Sequence, residues 1–277
     1  MFLAEPQRTP YDFHFQMMGF HVRVSPFFWV MALVLGWGST AAIADFYQPE
    51  RIPLPILEMS PQERAERLPP ETLASLELIE SNPGQGMLLL IWVAAVFLSI
   101  MIHELGHSLA MKRYGIHSYM ILYHFGGLAV PDSAGGYMGM NRRSDPYQQI
   151  YISAAGPGLQ LALAGAVILL VKAAGYAVPT HIPYLSGWLH FDEGQTIGSM
   201  PLMAVVDSIL WPSIFWAILN LLPVYPLDGG QILGREIRNV VPGVERHGLH
   251  LGEWSMVVRS RPPVRSRIGL DERVREL

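Results

Sequence analysis

Two histidines four residues apart in an apolar stretch are the clearest chemical signal in this sequence. His103 and His107 belong to the pentapeptide His-Glu-Leu-Gly-His, in which Glu104 follows the first histidine. On a helix, positions four apart share a face, so both imidazoles can bind one zinc ion while Glu104 lies beside them as a general base. Ionisable side chains at membrane depth are rare and mark functional sites, which favours this interpretation. The alternative, two interior histidines bonded to neighbouring groups, stays open on the spacing alone.

The composition indicates an integral membrane protein. Hydrophobic residues make up 51% of the 277 residues and charged residues only 15%, a balance that soluble domains of this length seldom show. Cysteine is absent, so no disulfide is expected and a metal must be held by histidine or carboxylate side chains. The formal net charge of -4 gives no indication of a nucleic-acid partner.

Four segments are long and apolar enough to cross a lipid bilayer. We predict spans near residues 27–44, 86–111, 150–171 and 201–224, with a short β-hairpin-like segment between the second and the third. The predicted fold class is therefore an all-α polytopic membrane protein with about four transmembrane helices. The first span follows residues of mixed polarity without a signal-peptide cleavage site, so we interpret it as a retained helix.

The charges of the loops predict the orientation. Basic residues lie near the membrane ends after the second and fourth spans, whereas the loop after the first span is mainly acidic. The basic residues are Lys112, Arg113, Arg142, Arg143, Arg235 and Arg238. We predict a cytoplasmic N-terminal segment (1–26), a membrane-embedded domain (27–235) with an extracytoplasmic loop (45–85), and a basic cytoplasmic tail (236–277). A bacterial inner membrane is the expected location, with the active site near its cytoplasmic side.

Asp228 is the candidate third ligand. It lies in the stretch from Asn220 to Gly230, where prolines and glycines interrupt the fourth span. Irregular backbone at membrane depth is tolerated where it is buried or lines a wet cavity. Because the second and fourth spans run in the same direction, Asp228 and the two histidines should reach a similar depth. The alternative is that Asp228 only caps the helix that follows it.

These motifs resemble those of the site-2 proteases, a family of intramembrane zinc metalloproteases. The resemblance rests on His103 to His107, Phe125-Gly126-Gly127, Ala154-Ala-Gly-Pro157 and Asn220 to Gly230, in this order. It implies one zinc ion held by His103, His107 and Asp228. It also implies that Glu104 activates the attacking water. The implied partners are the lipid bilayer, a single-span membrane protein substrate and an upstream site-1-type protease that shortens this substrate before a regulator such as a transcription factor is released.

Residues outside the candidate ligand set also have predicted roles. Asn220 could donate a hydrogen bond to the developing oxyanion or hold the helices together. The segment 123–130, with a turn at Gly126 and Gly127, could pair with an unwound substrate or be a structural hairpin. If it binds substrate, we expect Gly127→Pro to impair cleavage more than folding. Gly156 and Gly158 are interpreted as positions of close helix packing.

The segments between and after the spans indicate a compact subtype. The link at 172–200 is too short for the PDZ domain that many site-2 proteases contain, because a domain needs about 50 residues. The acidic loop 48–85 contains one candidate helix, at 70–81. The favoured interpretation is a variable linker, and the alternative is a segment that covers the outer mouth or contacts a partner. The arginine-rich tail departs from the family, whose members commonly continue with further hydrophobic helices; a lipid-binding tail and an altered end both stay open.

Three functions from different classes remain. The first is a zinc-dependent intramembrane endopeptidase that cleaves membrane-anchored proteins. The second is a non-proteolytic zinc-binding membrane protein that binds a client, and the intact Glu104 argues against it. The third is a metal or proton transporter, and a single cluster without internal repeats argues against that.

Overall fold

The computed structural model describes residues 6–124, 126–132, 146–179, 191–224 and 227–232. The predicted basic tail lies outside these residues, as do Phe125 and four of the basic residues used to predict orientation. In chain order the elements are β1 (Phe13–Met17), β2 (Phe20–Val24), α1 (Pro26–Phe46), a 3-10 turn (Pro49–Arg51), α2 (Leu54–Leu57), α3 (Pro61–Arg67), α4 (Pro70–Glu80), α5 (Gln85–Arg113), β3 (Ser118–Tyr123), β4 (Gly126–Pro131), α6 (Pro146–Ala173) and α7 (Met200–Leu221).

Four helices of the described chain are long and apolar enough to cross a membrane: α1, α5, α6 and α7. All four predicted spans are thereby confirmed, with ends that shift by a few residues, and the protein is an integral multi-pass membrane protein. The fourth span ends at Leu221 rather than at 224. Leu222 already has an extended backbone because it precedes Pro223, and the residue before a proline is disfavoured in the helical region.

The helix ends follow from local sequence. α1 begins where Ser25 is extended and Pro26 occupies the first helical position, which suits the fixed backbone angle of proline. α5 begins after Gly84, whose φ of 82° needs a residue without a side chain. It ends with Lys112 and Arg113 in its last turn, where positive charge complements the helix dipole.

The central helix is α5, which packs against α1, α6 and α7. At its contact with α1, the Trp92 ring fills the space that a side chain at Gly36 would occupy. The Trp92 indole N–H also donates to the Ala32 carbonyl at 3.1 Å. Since every backbone hydrogen bond within a helix is already made, side-chain contacts of this kind and close packing fix the positions of the spans.

A mixed sheet of four strands accompanies the helices, in the order β1-β2-β3-β4. β1 and β2 are antiparallel, β2 and β3 are parallel, and β3 and β4 are antiparallel. The β1–β2 hairpin was not predicted from the sequence. Its signals were present: Met18 and Gly19 both have positive φ, as a two-residue hairpin turn requires, and apolar residues alternate on either side. Phe20, Val22 and Val24 belong to the largest core cluster.

The hairpin predicted between the second and third spans is confirmed as β3 and β4. The position of its turn was wrong, because Gly126 and Gly127 are the first residues of β4, where Gly127 lies opposite Leu122. The last pair of the hairpin, Tyr123 with Gly126, already includes the first of these glycines. Among the described residues, β4 is an edge strand.

The loop between α1 and α5 is folded against the helices. The candidate helix at 70–81 is confirmed as α4, and its Leu78 packs against Leu88 and Met200 in a small core. The Ser81 hydroxyl also accepts a hydrogen bond from the Met200 backbone N–H at 2.9 Å. This loop is therefore packed onto the first turns of α5 and α7 and is more than a free linker.

Candidate metal centre

The two histidines and the glutamate of the His-Glu-Leu-Gly-His motif lie on α5 and face the interior of the helix bundle. His103, Glu104 and His107 are 5%, 4% and 8% exposed. Two imidazoles and a carboxylate are costly to bury in an apolar interior unless polar groups or a metal compensate them. The structure supplies such compensation for each of the three.

Asp228 meets both histidines, as predicted. The His103 and His107 Nε2 atoms are 3.1 Å apart. The Asp228 Oδ2 atom is 3.2 Å from the first and 3.3 Å from the second. Ligands of a tetrahedral zinc ion, at about 2.1 Å from the metal, lie about 3.4 Å from each other. The three donor atoms therefore fit zinc in both identity and spacing.

The break after α7 brings Asp228 to this position. After Leu222 the chain turns back, and a new helical turn begins at Asp228. A side chain at Gly229 would collide with the carbonyl of Leu221 and stand 2.5 Å from that of Leu222, so this close return requires glycine. The Asp228 carboxylate reaches Nε2 of both histidines. This contact with two imidazoles favours the ligand interpretation over simple helix capping.

Glu104 lies between α5 and the edge strand β4. Its carboxylate contacts the α carbon region of Gly127, where a Cβ would stand 2.5 Å from Glu104 Cδ. The backbone of Ala129, two residues further along β4, hydrogen-bonds the same carboxylate. Burial and the nearby Glu104 charge also raise the pKa of the Tyr123 phenol. Glu104 is thus held by a strand that the motif alone does not reveal.

Two glycines allow α5 and α6 to approach at the site. A Cβ at Gly106 would collide with the Ala155 carbonyl oxygen and stand 2.9 Å from Gly156 Cα. A Cβ at Gly156 would fall 2.5 Å from Cε1 of the His107 ring. The packing role predicted for Gly156 is confirmed, and it packs against a candidate ligand. The same prediction for Gly158 was wrong, since this exposed position has open space around it.

Helix α6 also provides hydrogen-bond partners for both rings. His107 Nδ1 donates to the Ile152 carbonyl at 2.7 Å. His103 Nδ1 lies 2.9 Å from Oε1 of Gln160. Sequence reasoning missed Gln160, although a lone amide within the apolar stretch after Pro157 was a usable signal.

Asn220 lies half-buried near the end of α7. Both roles considered for its amide, a hydrogen bond to the oxyanion and a bond between helices, stay predictions.

A sequence model of Peptidase family M50 matches residues 91–247. The chain belongs to this family. The matched stretch contains the His-Glu-Leu-Gly-His motif and Asp228, and it confirms the resemblance to the site-2 proteases that the motifs indicated.

Curated relatives match about half of this chain. A Synechocystis sp. protein named "Putative zinc metalloprotease" is 32% identical over 145 residues, which cover 52% of this chain and 30% of that protein. A "Zinc metalloprotease" of Methanocaldococcus jannaschii is 28% identical over 139 residues, covering 50% of this chain and 32% of that protein. The matches thus span less than a third of these relatives. A solved structure titled "Site-2 Protease from Methanocaldococcus jannaschii" aligns with a TM-score of 0.41 and 18% identity, covering 83% of this chain and 73% of that one.

Proposed function

We propose that this member of Peptidase family M50 is a zinc-dependent intramembrane endopeptidase that cleaves membrane-anchored proteins. The observation that supports this most directly is the buried Glu104 carboxylate next to His103, His107 and Asp228 within an apolar helix bundle. The names of the two relatives support zinc as the metal.

The three donor residues would hold the zinc ion and leave a fourth position open, which is the arrangement of catalytic rather than structural zinc sites. When bound, zinc lowers the pKa of a coordinated water and polarises the carbonyl to be cleaved. Glu104 is the group placed to take the proton of the attacking water and to return it to the leaving amine. Its contacts with β4 keep the carboxylate fixed for both transfers.

We propose that the substrate binds in an extended form along β4. A helical substrate hides its amides in its own hydrogen bonds, so the segment to be cut must unwind before cleavage. An edge strand offers unpaired backbone groups that can bind an extended peptide. Within the described ranges of the chain, that edge belongs to the strand that contacts Glu104. A substrate bound along β4 would therefore lie beside Glu104, the proposed general base.

Further parts of the proposal concern the cellular role. A site-1-type protease would shorten the substrate first, and cleavage by this protein would then release a regulator on the cytoplasmic side of a bacterial inner membrane. Asn220 would donate a hydrogen bond to the oxyanion. Replacing Asn220 with alanine should then reduce the rate constant of cleavage more than the apparent affinity for substrate.

The proposal is tested with purified protein in detergent and a panel of single-span membrane proteins. Wild type and Glu104→Gln are compared for bound zinc and for cleavage, with a zinc chelator as a second control. We expect one zinc per chain in both proteins. Cleavage should fall by about 10²–10⁴-fold in Glu104→Gln, because general acid–base catalysis is lost while the ligands stay intact.

Each other outcome has a clear meaning. Stoichiometric zinc in wild type without cleavage of any substrate in the panel would favour a protein that binds clients. Equal cleavage by wild type and Glu104→Gln would exclude Glu104 as the general base. Folded wild-type protein that binds no zinc would overturn the proposal.

A further inference from the structure

A hydrogen-bonded network of buried polar side chains crosses the bundle beside the metal centre. Gln160 on α6, Ser99 on α5 and Ser213 on α7 are each 0% exposed. The Gln160 amide Nε2 donates to the Ser99 hydroxyl at 2.8 Å, and the two serine hydroxyls are 2.9 Å apart. Burying so many polar groups in an apolar interior is costly unless each has a partner. In this network, Gln160 is the residue that contacts the candidate metal ligand His103.

The neighbours of Gln160 determine which way its amide points. Its Nε2 lies 3.4 Å from the Pro212 carbonyl oxygen, which can only accept a hydrogen bond. The NH₂ group must therefore face Pro212 and Ser99, and Oε1 must face His103 Nδ1 at 2.9 Å. Because Oε1 is an acceptor, the hydrogen atom lies on Nδ1 of His103. The lone pair of the neutral ring is then on Nε2, the atom that lies 3.2 Å from Asp228.

Both histidines have Nδ1 within hydrogen-bond distance of an oxygen acceptor, but the two acceptors differ in kind. His107 Nδ1 donates to a backbone carbonyl, that of Ile152, which no substitution removes. His103 depends on a side chain for the equivalent bond. A hydrogen bond to the outer nitrogen of a metal-binding histidine fixes its tautomer and ring orientation, and its loss costs about 10–100-fold in metal affinity or activity.

We infer that Gln160 is a positioning residue that holds His103 with its Nε2 directed at the metal. The inference rests on the proposed function for the presence of zinc, but it concerns metal binding and is independent of which substrate is cleaved. It assigns the two ends of the amide different tasks. Oε1 orients the ligand, and Nε2 connects α6 to Ser99 on α5 and to Pro212 on α7.

Three variants separate these tasks. Gln160→Met keeps a flexible side chain of similar length but removes both hydrogen-bonding ends. Gln160→Glu keeps the acceptor that faces His103 and loses the donor that faces Ser99 and Pro212. Ser99→Ala breaks the connection between the helices and leaves the contact between Gln160 and His103 intact.

The first readout is zinc affinity of the purified full-length protein, measured by competition with a chromophoric chelator. We expect zinc affinity to fall by about 10–100-fold in Gln160→Met and to stay within about threefold of wild type in Gln160→Glu and Ser99→Ala. Thermal unfolding should show all three variants less stable than wild type, because each of them loses the hydrogen bond between Gln160 Nε2 and Ser99. A purely structural role would lower zinc affinity in Gln160→Glu as much as in Gln160→Met.

A second readout does not depend on how stable the Gln160→Met variant is. In wild-type protein with ¹⁵N-labelled histidine, NMR shift correlations report which ring nitrogen of His103 is protonated. We expect the Nδ1–H form, assigned to His103 by its absence from His103→Ala. An Nε2–H form would overturn the inference, as would unchanged zinc affinity in folded Gln160→Met. Failure of wild type to bind zinc would overturn it together with the proposed function, whereas zinc binding without proteolysis would count against the proposed function alone.

Discussion

Gly127 in β4 lies directly against the Glu104 side chain on α5, so that a Cβ at Gly127 would overlap the glutamate. A strand can approach a buried carboxylate this closely only where it has no side chain. Glu104 and the edge of the sheet are consequently fixed relative to each other. This contact explains why position 127 is a glycine, which the predicted turn at Gly126 and Gly127 did not explain.

Replacing Gly127 with alanine should displace Glu104 and reduce cleavage by roughly 10²-fold, because a misplacement of about 1 Å can cost that much. Bound zinc should stay near one per chain, since the three atoms nearest to the added methyl group all belong to Glu104. The measurement is the cleavage rate together with zinc content. Gly158→Ala is the matched control, because this glycine faces open space and the variant should cleave like wild type.

Normal cleavage by Gly127→Ala would show that Glu104 can act from another position. The Gly127→Pro variant, which the sequence suggested as a test of substrate binding, cannot test that binding alone. A proline ring would disturb Glu104 as well as any substrate bound along β4, so a loss of cleavage would not distinguish the two.

Gly106→Ala should destabilise the helix bundle by about 1–3 kcal/mol, because the added methyl group would force α5 and α6 apart at the Ala155 carbonyl. Unfolding by increasing SDS in mixed micelles, followed by circular dichroism, measures the difference. Gly165→Ala in α6 serves as the control, since a Cβ there meets nothing within 4 Å. Equal stability of the two variants would mean that the helices tolerate a wider separation.

The predicted orientation can be tested by labelling, because the chain contains no cysteine. Ser75→Cys in α4 and His117→Cys before β3 both place a thiol at an exposed position. In intact cells, a membrane-impermeant maleimide should label the first variant, and it should label the second only after the membrane is permeabilised. The reverse pattern would place the end of α5 outside the cytoplasm and contradict the orientation predicted from the basic residues near the membrane ends.

The N-terminal hairpin should loosen in acid. Asp12 and Arg23 form a 3.3 Å ion pair with side chains that are 1% and 4% exposed. Burial alone would raise the pKa of Asp12, but hydrogen bonds from Thr9 and the charge of Arg23 hold it below its usual value. Because this pKa is lower in the folded state, the stabilisation is present above about pH 4, the unfolded value, and is lost as the pH falls through the folded pKa.

Asp12→Asn should therefore lower the thermal unfolding temperature at pH 7 and have a smaller effect near pH 3. Scanning calorimetry of both proteins at the two pH values measures this difference. Asp45→Asn is a suitable comparison, because Asp45 forms an exposed pair with Arg51 and exposed pairs contribute little. A penalty of equal size at both pH values would mean that the charge of Asp12 is unimportant.

The sequence was sufficient for the spans and for the grouping of His103, His107 and Asp228, because these depend on hydropathy and on fixed helical spacing. It was insufficient for contacts between elements. Helices α5 and α6 are apolar on nearly all sides, since lipid and protein interior favour the same residues, and so no periodic pattern showed that Gly106 faces Ala155 or that Gln160 faces His103.

The N-terminal hairpin was missed for a different reason. Arg8, Asp12 and Arg23 gave the segment a polar composition, and this concealed the alternation of apolar residues on β2. In the fold Arg23 is buried with Asp12, so its charge is a sign of tertiary structure rather than of a solvated tail.

The ligands of the metal centre come from distant parts of the chain, and this determines when the site can form. The described part of the chain between His107 and Asp228 contains two strands and two membrane helices: β3, β4, α6 and α7. A nascent chain that has inserted only as far as α5 therefore presents two histidines without the third ligand. Such a partial product would bind metal weakly until α7 has left the ribosome and the chain has turned back at Gly229. The connectivity thereby delays assembly of the three-residue metal centre until Asp228 has been synthesised.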